Sequence, residues 1–204
     1  KSKKKVVTSK ITTTVQTTTT QQVSIANETA VSTTSSGTSV AQATAAASSS
    51  QNQSKYEANV ASVAGKMDNR VIAAYQQLGF KLVVDPSVNY SGYFDARSRS
   101  ITMKQIDDSV YHELGHFLAF IAGNVDKTAS FQSIFAAEKA NVTAFNKAYV
   151  TQNASEYFAE SVKDYILNNA SLKSSRPQTY AAVQNALNQI TDAQIAKIQK
   201  IYGA

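Results

Sequence analysis

No leucine, phenylalanine, tyrosine or tryptophan precedes Tyr56 in this chain of 204 residues. Folding is driven by burial of large apolar side chains, so any core must be built from Tyr56 onward. Residues 1–55 are mostly Thr, Ser, Gln and Ala, in runs such as ITTTVQTTTTQQ and VSTTSSGTSV. They are expected to form a disordered tail or linker. Residues 56–204 are enough for one domain. The tail holds six lysines against one acid, Glu28, and so carries most of the formal charge of +6. The domain is left close to neutral, with no electrostatic footprint for nucleic acid. No apolar run approaches the roughly 20 residues of a membrane span. With no cysteine there is no disulfide, no thiol nucleophile and no Cys-type metal site.

Periodicity suggests an α+β domain, helices around a small sheet. Apolar residues recur at helical spacing from Tyr56 to Phe80, with Gly79 as the stop. Lys81–Asp85 reads as a short buried strand ended by Pro86, and SGYFDARSRSITMK reads as a hairpin turning at Asp95–Ser98. Asp107 or Asp108 is placed to cap a helix that stops at Gly123. Further helices are expected at Ser130–Lys139, Asn153–Asn168, Pro177–Ile190 and Asp192–Tyr202.

Both histidines of the chain fall in VYHELGHFLAF, Val110 to Phe120. His112 and His116 are one helical turn apart, so they share a face and are able to grip one metal ion. On a helical wheel Val110, Leu114, Phe117 and Ile121 form a core arc roughly opposite the histidines. Glu113 lies beside them, where a carboxylate would act as general base toward a metal-activated water. Gly115 leaves room for a close neighbour.

A catalytic zinc needs a third protein ligand, and only carboxylates remain. Asp126 is very close in sequence. Glu138 follows His116 at a thermolysin-like spacing, but its polar flanks and neighbour Lys139 suggest an exposed face. Glu156 lies further on and pairs with Glu160 at i, i+4, opposite an apolar face of Phe158, Val162 and Tyr165. Two inward carboxylates favour Glu156: one to bind metal, the other to orient a ligand histidine. Asn153 and Glu156 also form a possible capping box, which would compete for the glutamate.

HELGH, Tyr149, SEYFAE and RPQTY together resemble the anthrax lethal factor-like zinc peptidases, which include the lethal factor catalytic domain and the Pro-Pro endopeptidases of clostridia. The resemblance runs roughly from Tyr56 to the end of the chain. It implies a zincin-like domain in which an edge strand and several helices, including the HExxH helix, surround the site. It implies Zn²⁺ on His112, His116 and Glu156, Glu113 as base, Tyr149 as oxyanion donor and Glu160 behind the ligands. Arg99, Ser100, Ile101, Thr102 and Met103 would be the edge strand that holds an extended peptide. Ser155, where Pro-Pro endopeptidases carry an acid, and the lack of tryptophan both count against a Pro-Pro preference.

The expected protein is therefore a secreted or surface-associated zinc endopeptidase, monomeric, acting on peptide or protein substrates. The alternative is a catalytically silent peptidase-like module on a surface stalk, which would have no need of Glu113. Sequons at Asn27, Asn89, Asn141, Asn153 and Asn169 would expose the cleft mouth to glycans in a eukaryotic secretory pathway. Export from a Gram-positive bacterium is the better expectation. Truncation to start at Tyr56 is expected to leave the melting temperature and any peptide cleavage unchanged; a fall of many degrees in a thermal melt would show that the tail contributes to folding.

Overall fold

A computed structural model of the chain describes residues 54–203. The disordered segment expected over 1–55 falls, but for its last two residues, outside the described ones. Four strands, β1 (Tyr56–Ala58), β2 (Lys81–Val84), β3 (Gly92–Asp95) and β4 (Ser100–Met103), form one mixed sheet in the order β1-β2-β4-β3. β1 runs antiparallel to β2, β2 parallel to β4 with Leu82 opposite Ile101, and β3 antiparallel to β4 with Gly92 opposite Met103. Leu82, Val84, Ile101 and Met103 are buried, and the residues alternating with them are not. One face of the sheet is thus packed and the other is wet.

The strand order corrects one expectation. Arg99–Met103 is not an edge, because β4 is paired on both sides. Ile101 and Met103 point into the same core as Leu82 and Val84, and a central position buries them completely. The two edges of the sheet are β1 and β3, and the hairpin arm left with a free side is β3, whose Tyr93 is 57% exposed. A second correction concerns Tyr56–Phe80, expected as a continuous helix. Tyr56–Ala58 pairs with β2, and the rest divides into α1 (Val60–Val63) and α2 (Asn69–Gln77). Local caps cut the stretch: Asn59 Oδ1 accepts from Ser62 N at 3.1 Å, and Asp68 Oδ1 accepts from Arg70 N at 2.9 Å.

The histidine-bearing helix is α3 (Ser109–Ile121); Asp107 Oδ1 accepts from Ser109 N at 2.9 Å at its start, and Gly123 adopts φ +83° past its end. A 3₁₀ turn at Val125–Lys127 leads to α4 (Ala129–Glu138), followed by α5 (Lys147–Val150) and α6 (Ala154–Leu167). The chain then runs through α7 (Asn169–Ser175), α8 (Pro177–Asn188) and α9 (Asp192–Ile201). Two short helices, α5 and α7, have too few apolar repeats to show in the periodicity.

Helix α3 is enclosed by β3 on one side and α6 on the other, so even His112 and Glu113 are each only 7% exposed. Phe117 packs with Tyr75, Phe80 and Phe94 in an aromatic cluster. Tyr202, just past α9, donates to the carbonyl of Ala96 at 2.6 Å and ties the hairpin turn to the end of the fold. Glu138 is also unlike its expectation. It is buried, and its carboxylate accepts from Gln178 N at 3.0 Å, Thr179 N at 2.9 Å and Thr179 Oγ1 at 2.7 Å. It serves the start of α8, where unpaired amides and the helix dipole favour an anion.

Helices α3 and α6 approach closely at Gly115: a Cβ there would lie 2.7 Å from both the Cα and the carbonyl oxygen of Ala159. Helix propensity alone favours Gly115→Ala by about 1 kcal/mol. The opposing atoms are backbone and have no rotamer to escape into. Gly115→Ala is therefore expected to destabilise the domain by about 1–3 kcal/mol, read as a lower denaturation midpoint in urea.

Candidate metal centre and active site

Helical spacing on α3 and α6 brings three ligand-type side chains together. Glu156 Oε2 lies 3.1 Å from His112 Nε2 and 3.6 Å from His116 Nε2. The ligand atoms of His112, His116 and Glu156 all fall within 4.8 Å of one another. Donors of a tetrahedral zinc site with bonds of about 2.0–2.1 Å stand roughly 3.3–3.5 Å apart, so the trio fits such an ion. Glu138 and Asp126 are not members of the group. The capping conflict at Glu156 is resolved by dividing the work. Asn153 Oδ1 accepts from Glu156 N at 2.9 Å, and the glutamate side chain is left to face the histidines.

Glu160, one turn further along α6, accepts from His112 Nδ1 at 2.9 Å. That bond leaves Nε2 as the nitrogen available to a cation. Lys163 Nζ stands 3.6 Å from the other oxygen of Glu160. Burial would lower the His112 pKa, but Glu156 and Glu160 on its two nitrogens, with the charge of Glu113, raise it to about 9. Burial raises Glu156, but the hydrogen bonds and charges of His112 and His116 together outweigh it, so its carboxyl is held well below the usual range. Proton and cation therefore compete for the same imidazole nitrogen.

Glu113 is a different carboxylate. Burial pushes its pKa up despite the neighbouring histidines, which suits a group that must take a proton near neutral pH. It lies against the backbone of Gly92, where a Cβ would come within 2.7 Å of its Cγ and Oε1. Tyr149, on α5, stands across the site with its ring 6.5 Å from that of His112 and is 53% exposed. Burial and the charge of Glu156 push its phenol up to about 12, so it remains a donor at neutral pH.

Three cavities follow the free edge of β3. The largest, about 370 Å³, lies at the Gly92 end and is lined by Tyr90, Glu113, Tyr149 and Lys163 among others. A cavity of about 180 Å³ lies at the histidine–glutamate cluster, and one of about 190 Å³ lies beyond it, lined by Phe94, His116 and Asp126 among others. Shared lining residues join them into a trench. Arg99–Met103 line none of the three; the strand residues that do are 92–94. Periodicity identified both arms of the hairpin, but nothing local marks which arm is left unpaired. Gly92, Tyr90, Asn146 and Lys163 had no separate signal in the sequence.

Residues 96–186 match the family described as anthrax toxin lethal factor, N- and C-terminal domain. This segment is lethal factor-like. It contains α3, Tyr149, Glu156 and Glu160. A Pro-Pro endopeptidase of Clostridioides difficile (strain 630) is 41% identical over 78 residues, 36% of this chain and 34% of that protein. The chain thus matches about a third of that relative's length. Strand β3 lies just ahead of the lethal factor-like segment, so the contact of Gly92 with Glu113 comes from outside it. Gly92→Ala is expected to displace Glu113 while leaving the candidate ligands His112, His116 and Glu156 in place. Zinc stoichiometry by elemental analysis should stay at the wild-type value, and any peptide hydrolysis should fall by on the order of 10²-fold, the scale of a misplaced catalytic group.

Proposed function

We propose that this protein is a zinc-dependent endopeptidase, acting outside the cell on extended stretches of polypeptide. The observation that carries the reading is the convergence of His112, His116 and Glu156 beside a buried Glu113, on the open edge of a β-strand. The match of a lethal factor-like segment and of an endopeptidase relative supports it.

Zn²⁺ on His112, His116 and Glu156 would supply Lewis acidity toward the scissile carbonyl and a water. The chain's own groups do the rest. Glu160 keeps the Nδ1 proton of His112 in place and so fixes the ring. Glu113 takes the proton of the attacking water and delivers it to the leaving amine. Tyr149 donates through its hydroxyl to the developing oxyanion. The unpaired edge of β3 adds the peptide as a further strand, which supplies affinity through main-chain hydrogen bonds and holds the scissile bond over the cluster. Tyr90, Tyr93 and Tyr149 line the trench at its Gly92 end and at the cluster, and a Pro-Pro preference forms no part of the reading. An extracellular site is consistent with the polar, lysine-bearing stretch ahead of the domain, and no helix among the described residues is long and apolar enough to cross a membrane.

Elemental analysis together with a peptide cleavage assay tests the assignment. Glu113→Ala should retain one zinc per chain and lose turnover by about 10²–10⁴-fold, because it removes the base and not a ligand. Tyr149→Phe should also retain zinc and lose on the order of 10²-fold in kcat. A zinc-loaded wild-type protein that cleaves no member of a diverse peptide library would refute the enzymatic reading.

A further inference from the structure

Four acids are buried among the described residues: Glu113, Asp126, Glu138 and Glu160. Glu113 and Glu160 belong to the candidate active site, and Glu138 caps α8. Asp126 has no such duty. It sits in the 3₁₀ turn after α3 and is 3% exposed. Its backbone carbonyl accepts from Gln132 Nε2 at 3.1 Å. No hydrogen bond or ion pair reaches its carboxylate among the described residues. A carboxylate on a mostly buried residue with no protein partner is free to accept a counter-charge from outside. The sealed, unpaired side-chain atoms of the domain are Tyr75 Oη and Arg176 Nε. The oxygens of Asp126 are not among them and so meet open space. The space that this residue lines is the cavity of about 190 Å³ at the end of the trench.

That cavity has apolar walls in Phe94, Ala119 and Phe120, and it shares Phe94 and His116 with the cavity at the metal ligands. It therefore adjoins the position of the scissile bond. Lys127 also lines it, but it is exposed, and its charge is solvated and screened. The geometry points to a subsite for a basic side chain: an arginine or lysine close to the scissile bond, its stem along Phe94 and Phe120 and its charge on Asp126. This deepens the peptidase reading and rests on it. A long cationic side chain matches both parts of the cavity, since its methylenes cover apolar wall while its head meets the carboxylate.

The test uses the zinc-loaded full chain and a peptide library scanned with arginine, norleucine and glutamate at each position. Arginine should be preferred at one position within two residues of the cleaved bond. The ratio of kcat/KM for arginine over norleucine there should fall at least tenfold in Asp126→Asn. Binding supplies a readout independent of turnover. In the zinc-loaded Glu113→Ala variant, fluorescence anisotropy should give a tighter Kd for the arginine peptide than for its norleucine counterpart, by tenfold or more. Cleavage with no basic preference near the scissile bond would overturn the subsite and leave the peptidase reading standing. Absence of both zinc and cleavage would overturn the two together. Equal losses on all peptides in Asp126→Asn, with zinc affinity reduced more than tenfold, would assign the carboxylate to His116 instead and also overturn the proposal.

Discussion

The candidate site depends on how closely α3 and α6 approach. Two histidines on one helix fix only their own separation; the third ligand-type residue must come from elsewhere at the right depth. Gly115, lying between His112 and His116 in sequence, has no side chain to hold α6 away, and Ala159 sits against it between Glu156 and Glu160. The small pair thus sets the spacing of the helices, and the glutamates on either side of Ala159 reach the histidines. A bulkier residue at either position would move both glutamates together.

That spacing brings several charges out of water at once. Glu113 and Glu160 are buried, and Glu156 is only partly exposed, within reach of two imidazoles. Burial penalises each carboxylate. Lys163 offsets part of this for Glu160 alone. A divalent cation at the histidine nitrogens would place two positive charges beside these carboxylates. The unequal responses of the carboxyls follow from their partners: Glu156 is pulled down by two histidines, whereas burial dominates at Glu113 and pushes it up. One small volume therefore holds a strongly acidic ligand-type group beside a more basic one.

Much of this was legible because helical spacing is a local property. The pair at i, i+4 in HELGH and the pair Glu156 and Glu160 each fix a face without knowledge of the fold, and glycines at 79 and 123 mark ends that do occur. What failed was non-local. Tyr56–Ala58 has helical periodicity with the residues after it, yet pairing with β2 decides its conformation. Which arm of the hairpin forms an edge depends on where β2 docks, and this leaves β3 free on one side and β4 enclosed. Glu138, with Lys139 beside it, reads as a surface charge. Its partners, Gln178 and Thr179, are distant in sequence, at the start of α8. The same limit hides Gly92, whose importance lies in a contact with Glu113 on another element.

The hydrogen bond from Tyr202 to Ala96 spans 106 residues of sequence. It carries a consequence for the order of events during synthesis. Domains generally fold as units while the chain emerges N-terminus first. The hairpin and both histidines leave the ribosome early, but Glu156 emerges well after the second histidine and Tyr202 comes later still. A nascent chain halted before α6 has two imidazoles and no carboxylate beside them from Glu156. One halted before α9 lacks the tie that secures the hairpin turn beside the trench. The domain therefore gains the complete surroundings of its cleft only when nearly the whole of the described sequence is free to fold.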